Sequence, residues 1–192
     1  MLLITIFEVS LLPGKGGLTM TGNLGEVMQE SAQTALSYVR SRADDLGLPS
    51  EDFENYDIHV HVPEGAVPKE GPSAGITLAT ALISALTERK VRRDFAMTGE
   101  ITLRGKILPI GGVKEKVMAA RRAQLKNVIL PANNQKDLVH IPKNALRDLN
   151  IHLVEDMQQV IDLVLMEPPP EGRQRDLKRQ EQEESDDQTA DD

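Results

Sequence analysis

Strand-period and helix-period segments follow one another along this chain without a regular βαβ beat, and that irregularity constrains its fold more than any other feature. A doubly wound parallel sheet requires strands and helices in strict succession. The broken order found here points to an α+β fold or an irregular α/β layer fold. Residues 4–9 alternate as a strand, Pro13-Gly14-Lys15-Gly16-Gly17 makes a turn, and 18–21 completes what reads as a hairpin. Val27, Ala35, Leu36 and Val39 recur at helical spacing over 23–46, and Gly47 marks the stop. Residues 56–62 alternate again, and a loop over 63–72 leads into an apolar helix over 74–88. Short strands at 95–98 and 101–108 are broken by Gly99 and Gly105. After Gly111-Gly112 the pattern predicts a helix over 113–125, then a strand at 128–130 stopped by Pro131. A short helix at 144–149, a strand at 151–154 and a helix at 157–165 close the series, and no internal repeat is visible.

The chain's 192 residues suit one domain with a real core. A formal charge of −8 argues against a partner that is nucleic acid or anionic lipid. The longest apolar run, 76–86, is too short to span a bilayer, and no secretory signal opens the chain. With no cysteine, disulfides, thiolate nucleophiles and Cys-ligated zinc are all removed, and a cytoplasmic setting is expected. The folded domain is expected over 1–166. From Glu167 the chain passes through Pro168-Pro169-Pro170 into an acidic stretch, so 167–192 reads as a disordered tail. Leu2 to Leu12 is already a strand pattern with no lead-in, which reads as part of something longer.

The chemistry centres on Gly71-Pro72-Ser73-Ala74-Gly75, which sets a serine between small residues at the mouth of the apolar helix. Small neighbours expose a hydroxyl, and a helix N-terminus stabilises an oxyanion. The competing reading is that Pro-Ser simply starts the helix, with serine as its cap. Gly71-x-Ser73-x-Gly75 also matches the nucleophile elbow of α/β-hydrolases, but a loop precedes it where that fold needs a strand. The Gly14-Lys15-Gly16 turn lacks the spacing of a phosphate loop and precedes a strand rather than a helix. His59, His61 and Asp57 share one face of their strand, with Ile58, Val60 and Val62 on the other. Zinc would need a third ligand and an open position, and no second histidine cluster offers one, so no metal site is expected. A triad of Ser73, one of these histidines and Asp57 remains as an alternative, and so does a pair of half-buried histidines satisfied by neighbours.

A lysine serves as a base if burial holds its amine neutral. On the helix after Gly112, Val113, Val117, Ala120 and Ala123 fall on one side. Lys116 lies within that arc, while Lys114, Glu115, Arg121 and Arg122 project elsewhere. The pattern leaves open whether Lys116 is a buried base or a snorkelling lysine whose head reaches water. Thr98, at a strand end, offers a hydroxyl to orient a neutral amine, or is an ordinary strand-end threonine.

Four motifs in this order carry a family resemblance: His59-Val60-His61-Val62-Pro63-Glu64-Gly65-Ala66, Pro68-Lys69-Glu70-Gly71-Pro72-Ser73-Ala74-Gly75, Met97-Thr98-Gly99-Glu100-Ile101-Thr102-Leu103-Arg104-Gly105 and Pro109-Ile110-Gly111-Gly112-Val113-Lys114-Glu115-Lys116. Together they resemble the proteolytic domain of bacterial Lon proteases of the A type, across nearly all of residues 2–165. The resemblance implies an α+β domain of irregular mixed sheets and packed helices. It also implies a serine endopeptidase with a Ser73–Lys116 dyad, acting on unfolded or misfolded proteins. Thr98 would help position the lysine, and His61 would support the site without being the base. Glu70 stands where many relatives carry Asp, one carbon longer with the charge kept. Family members join this domain to an ATP-driven motor and an N-terminal substrate-binding region. ATP and Mg would therefore belong to that motor, with no cofactor in this chain. A homo-oligomeric, hexameric ring is implied as well. The alternative is an inert ring-forming scaffold fragment.

Overall fold

The computed structural model describes residues 4–49, 52–63 and 70–168. The expected tail from residue 169 on, and the Glu64-Gly65-Ala66 and Pro68-Lys69 parts of the motifs, lie outside the described residues. The chain opens with β1 (Glu8–Pro13) and β2 (Leu18–Thr21), joined by the expected glycine-rich turn. These two strands do not pair, which corrects the hairpin. Helices α1 (Glu26–Ser41), α2 (Ala43–Leu46) and α3 (Asp52–Asn55) come next, and then β3 (Tyr56–His61) inserts between β1 and β2. β1 runs antiparallel to β3, with Glu8 opposite His61, and β2 runs parallel to it, with Leu18 opposite Ile58.

The reason lies at the start of β3. The N–H groups of Lys15 and Gly17 donate to Asp57 Oδ1 at 2.9 and 2.7 Å, and Gly14 N donates to the carbonyl of Asn55 at 2.8 Å. The turn thus closes over the first residues of β3 instead of on itself. Where the spacing predicts one helix over 23–46, the structure breaks it at Arg42, and Gly47 at φ 67° ends the second piece as expected.

A single 3-10 turn, Pro72–Ala74, leads into α4 (Gly75–Thr87), whose Ile76, Leu78, Ala79, Leu82, Ile83 and Leu86 are fully buried. A helix so apolar around its circumference must sit inside. α1 covers it with Met28, Ala32, Ala35, Leu36 and Val39, the residues that fall on one face at helical spacing. Next come β4 (Phe95–Met97) and the two-residue strands β5 (Glu100–Ile101) and β6 (Ile107–Leu108), which pair antiparallel. They are followed by α5 (Val113–Arg122), β7 (Asn127–Pro131), a 3-10 segment Ala132–His140, and α6 (Lys143–Arg147). β8 (Asn150–Val154) and α7 (Met157–Val164) complete the described elements.

β4, β7 and β8 form a parallel sheet with β7 in the centre, and all five residues of β7 are buried. Because successive side chains point to opposite faces, β7 divides the interior. Ile129 joins α1, α4 and α7 in one core, whereas Val128 and Leu130 join Val113, Val117, Ala120, Ile141, Ala145 and Leu149 in a second. The architecture is α+β, with small mixed sheets and packed helices. No helix among the described residues is long and apolar enough to cross a membrane.

Candidate active site

The first core delivers Ser73. Gly71 adopts φ 91° and ψ 161°, a region open essentially to glycine alone, and Pro72 then starts the 3-10 turn with its fixed φ. Gly75 is required for a different reason: a Cβ there would lie 2.8 Å from the backbone nitrogen of Ile101 and 2.9 Å from its Cγ2. That closeness lets the mouth of α4 clasp the segment leaving β4. Gly99 N and Thr98 Oγ1 both donate to the carbonyl of Ser73, at 2.9 and 3.0 Å, and Ile76 N donates to the carbonyl of Gly99 at 3.1 Å. Three bonds across one turn fix the serine's backbone. Neither the 3-10 turn nor α4 has a side-chain cap. The hydroxyl of Ser73 has another partner.

That partner comes from the second core. Val113, Val117 and Ala120 of α5 are buried, Lys114 and Glu115 are exposed, and Lys116 is half-buried between these two faces. Its Nζ donates to Ser73 Oγ at 3.0 Å, a bond that joins residues 43 apart in sequence. Burial holds the amine's pKa below the ordinary lysine value, with desolvation as the cause. The same heavy-atom geometry serves both proton states: the ammonium donates to Oγ, and the neutral amine accepts from Oγ–H. Ala123, grouped with the core face on spacing, is exposed, because α5 ends at Arg122 and Gln124 turns to φ 59°.

The histidines are engaged elsewhere. Thr21 Oγ1 lies 2.9 Å from His59 Nε2 and 2.7 Å from His61 Nδ1, so a threonine on β2 serves both rings. Asp57 is taken up by the turn between β1 and β2. Its two backbone donors, Gly17 first and then Lys15, hold its carboxyl below the usual carboxylate range. This corrects the Ser73–His–Asp57 triad: its acid anchors a turn, its histidines share a threonine, and its serine faces a lysine. The Gly14-Lys15-Gly16 turn holds an anion of the chain's own, the Asp57 carboxylate. No group of three His, Cys, Asp or Glu among the described residues is placed to hold a metal.

Of the remaining site candidates, Thr98 is buried, and the bond the structure gives its hydroxyl goes to the serine's backbone. The carboxylate of Glu70 lies over Gly25, the residue preceding α1, where a methyl group would run into it. Two contributors were not visible in the sequence reading. Thr21 looks like an ordinary strand residue, and Gly99 reads only as a strand breaker. The register sets Thr21 opposite His61 and Thr19 opposite His59, a pairing that periodicity along the chain does not reveal.

Short mixed sheets around a buried helix, with a serine hydroxyl at its mouth set against a half-buried lysine amine, define the class of this α+β domain. More particularly, the chain belongs to the family of the Lon protease (S16) C-terminal proteolytic domain, whose sequence pattern matches residues 2–167. It is 61% identical over 163 residues to a Lon protease of Heliobacterium modesticaldum, an alignment that covers 85% of this chain and 20% of that protein. A Lon protease 1 of Myxococcus xanthus is 60% identical over 168 residues, 86% of this chain and 21% of the relative. A Lon protease of Dictyoglomus thermophilum is 54% identical over 176 residues, 92% and 22% respectively. The chain thus spans about a fifth of the length of the curated relatives it matches.

Proposed function

We propose that this chain is a serine endopeptidase domain in which Ser73 is the nucleophile and Lys116 the general base. The observation that carries the reading is the 3.0 Å contact between Lys116 Nζ and Ser73 Oγ, with burial lowering the amine's affinity for a proton. A nucleophile within hydrogen-bond reach of a base is the first geometric requirement for acyl transfer. Neutral Lys116 takes the proton of Ser73 Oγ as that oxygen bonds to the peptide carbonyl carbon. The resulting oxyanion is stabilised by backbone N–H groups at the mouth of α4. The lysine ammonium then gives its proton to the departing amine, and water, deprotonated by the same lysine, releases the acyl group from Ser73. Thr98 and Gly99 hold the serine's backbone during these steps, and His61 supports the site from β3 without acting as the base.

We extend the proposal to substrate and setting. The substrates are unfolded or misfolded polypeptides, and the setting is the cytoplasm. The chain works as a homo-oligomer, a hexameric ring, and hydrolysis of small peptides needs no cofactor. ATP and Mg serve a motor that lies outside this chain.

The test is a set of three variants assayed on an unstructured fluorogenic peptide, together with labelling by a serine-directed phosphonate. Ser73→Ala and Lys116→Ala should lose turnover with circular dichroism unchanged, and the adduct should map to Ser73. Retained turnover in Lys116→Ala, with loss in His61→Ala, would replace the dyad by a histidine base. Absence of any adduct would favour an inert scaffold.

A further inference from the structure

Asn134 is 2% exposed, although it lies in the 3-10 segment that follows β7, where asparagine is normally a surface residue. Its amide is fully engaged. Ile110 N donates to Asn134 Oδ1 at 2.9 Å, Asn134 Nδ2 donates to the carbonyl of Ile110 at 2.9 Å, and the second amide N–H goes to Asp137 Oδ2 at 2.7 Å. The side chain therefore copies what a neighbouring strand would offer Ile110, one acceptor and one donor at a single residue. Asp137 fixes which way the amide faces, because a flipped amide would set its oxygen against two acceptors.

Ile110 is the last residue before a weak point. Among the described residues, nothing beyond its chain neighbours lies within 4 Å of where a Cβ on Gly111 would stand, and Gly112 sits at φ 68°. α5 begins directly after these two glycines, with no side-chain cap. The first turn of a helix frays most readily, since its amides lack internal partners. Lys116 is in that turn: its own N–H closes it by donating to the carbonyl of Gly112 at 3.0 Å. Gly112 is two residues from Ile110. Fixing Ile110 on both backbone groups fixes the carbonyl on which the turn bearing Lys116 is built.

We infer that Asn134, oriented by Asp137, is a positioning residue for the Ser73–Lys116 pair, acting through the backbone of Ile110 and the two glycines that follow. The inference rests on the dyad reading. The bonds of the Asn134 amide go to Ile110 and Asp137, so its effect is transmitted and not direct. Loss of the clamp frees the first turn of α5 between the glycines and the packed Val113 and Val117. Lys116 then drifts from Ser73 Oγ and gains water. Desolvation is the cause of its lowered proton affinity, so hydration should raise it.

Asn134→Ala, Asp137→Ala, Lys116→Ala and Leu149→Ala test this, the last as a cavity variant in the same second core. Four quantities are read: kcat and KM on the fluorogenic peptide, the pH midpoint of kcat/KM, and the Lys116 titration followed by side-chain NMR. Asn134→Ala should lower kcat by about 10- to 100-fold, the cost of a misplacement near 1 Å, with KM little changed. Its Lys116 midpoint should move up toward ordinary lysine, and Asp137→Ala should shift the same way by less. Leu149→Ala should lower the melting temperature and leave the midpoint in place. A wild-type midpoint and kcat in Asn134→Ala, or an equal shift in Leu149→Ala, reduces Asn134 to a stabilising residue and overturns the inference. Should Asn134→Ala not fold, an unmoved midpoint in Asp137→Ala overturns it equally. If Lys116→Ala keeps its activity, the dyad reading falls and this inference with it. If only Lys116→Ala is inactive, this inference alone falls.

Discussion

A lysine amine in water is protonated at neutral pH and cannot accept a proton from a serine hydroxyl. In the proposed dyad, Lys116 is usable because it sits between the buried and exposed faces of α5, within hydrogen-bond reach of Ser73 Oγ and with its pKa lowered by burial. The pH dependence follows with a definite sign. Because the pKa is lowered, the base form appears at lower pH than for an ordinary lysine, and activity rises as pH passes upward through that value. A kcat/KM profile measured between pH 5 and 10 should climb on a single limb; a limb that persists in Lys116→Ala would point to a histidine instead. Removal of the base by Lys116→Ala should lower kcat by about 10²- to 10⁴-fold, the usual range for a positioned general base. Lys116→Arg keeps the charge but supplies no neutral amine, so it should be as inactive as the alanine variant. Much of this is legible in the sequence. The helical arc of Val113, Val117 and Ala120 separates Lys116 from Lys114, because two residues turn about 200° around a helix and so fall on different sides. The partner was not legible from the arc, since periodicity within one helix says nothing about what faces it.

At the scale of elements, the clasp between the mouth of α4 and the segment after β4 decides whether the serine is held. Gly75 makes the clearest test, because helix propensity and packing give opposite signs. Alanine in place of glycine normally favours a helix by roughly 0.5–1 kcal/mol. Here its methyl would press on the backbone nitrogen and Cγ2 of Ile101, and overpacking of this kind typically costs about 1–3 kcal/mol. Gly75→Ala should therefore lower both stability and peptide turnover, and a variant that melts higher than wild type with full activity would refute the clasp. The strands themselves were readable, since Ile58, Val60 and Val62 alternate with Asp57, His59 and His61 and the structure buries the first set. Their pairing was not. A glycine-rich turn between two alternating runs normally signals a hairpin, yet the donors of this turn are drawn to Asp57, 40 residues away from Gly17, and β3 takes the place between the two strands. The segment Ala132–His140 was missed for another reason: a 3-10 run has neither the period of a helix nor that of a strand. Its buried Asn134, three residues before Asp137, carries no hydrophobic signal at all.

Across the whole molecule, the proposed dyad spans two cores that β7 divides, with the serine from one and the lysine from the other. Such a site has a thermodynamic cost, and the linkage between protonation and folding states its sign. The pKa of Lys116 is lower in the folded chain than in the unfolded one. Below the folded value both states carry the proton, and the folded state bears the full penalty of a desolvated ammonium. As pH rises through the folded value, the native chain releases its proton while the unfolded chain keeps it, so stability increases with pH. The gain ends near the ordinary lysine value of about 10.4, above which both states are neutral. Asp57 and Asp94, whose carboxyls are held low by their hydrogen bonds, act in the acid range and leave this window clear. Lys116→Met keeps the length of the side chain and removes the charge, so it should raise the melting temperature by a few degrees at pH 6 to 7 while abolishing turnover. The difference between variant and wild type should shrink as pH approaches 10, because the wild-type amine is then neutral too. Melting curves for the two proteins that run parallel across this whole interval would mean that Lys116 is hydrated in the folded state, and the argument for a neutral base would fail with them.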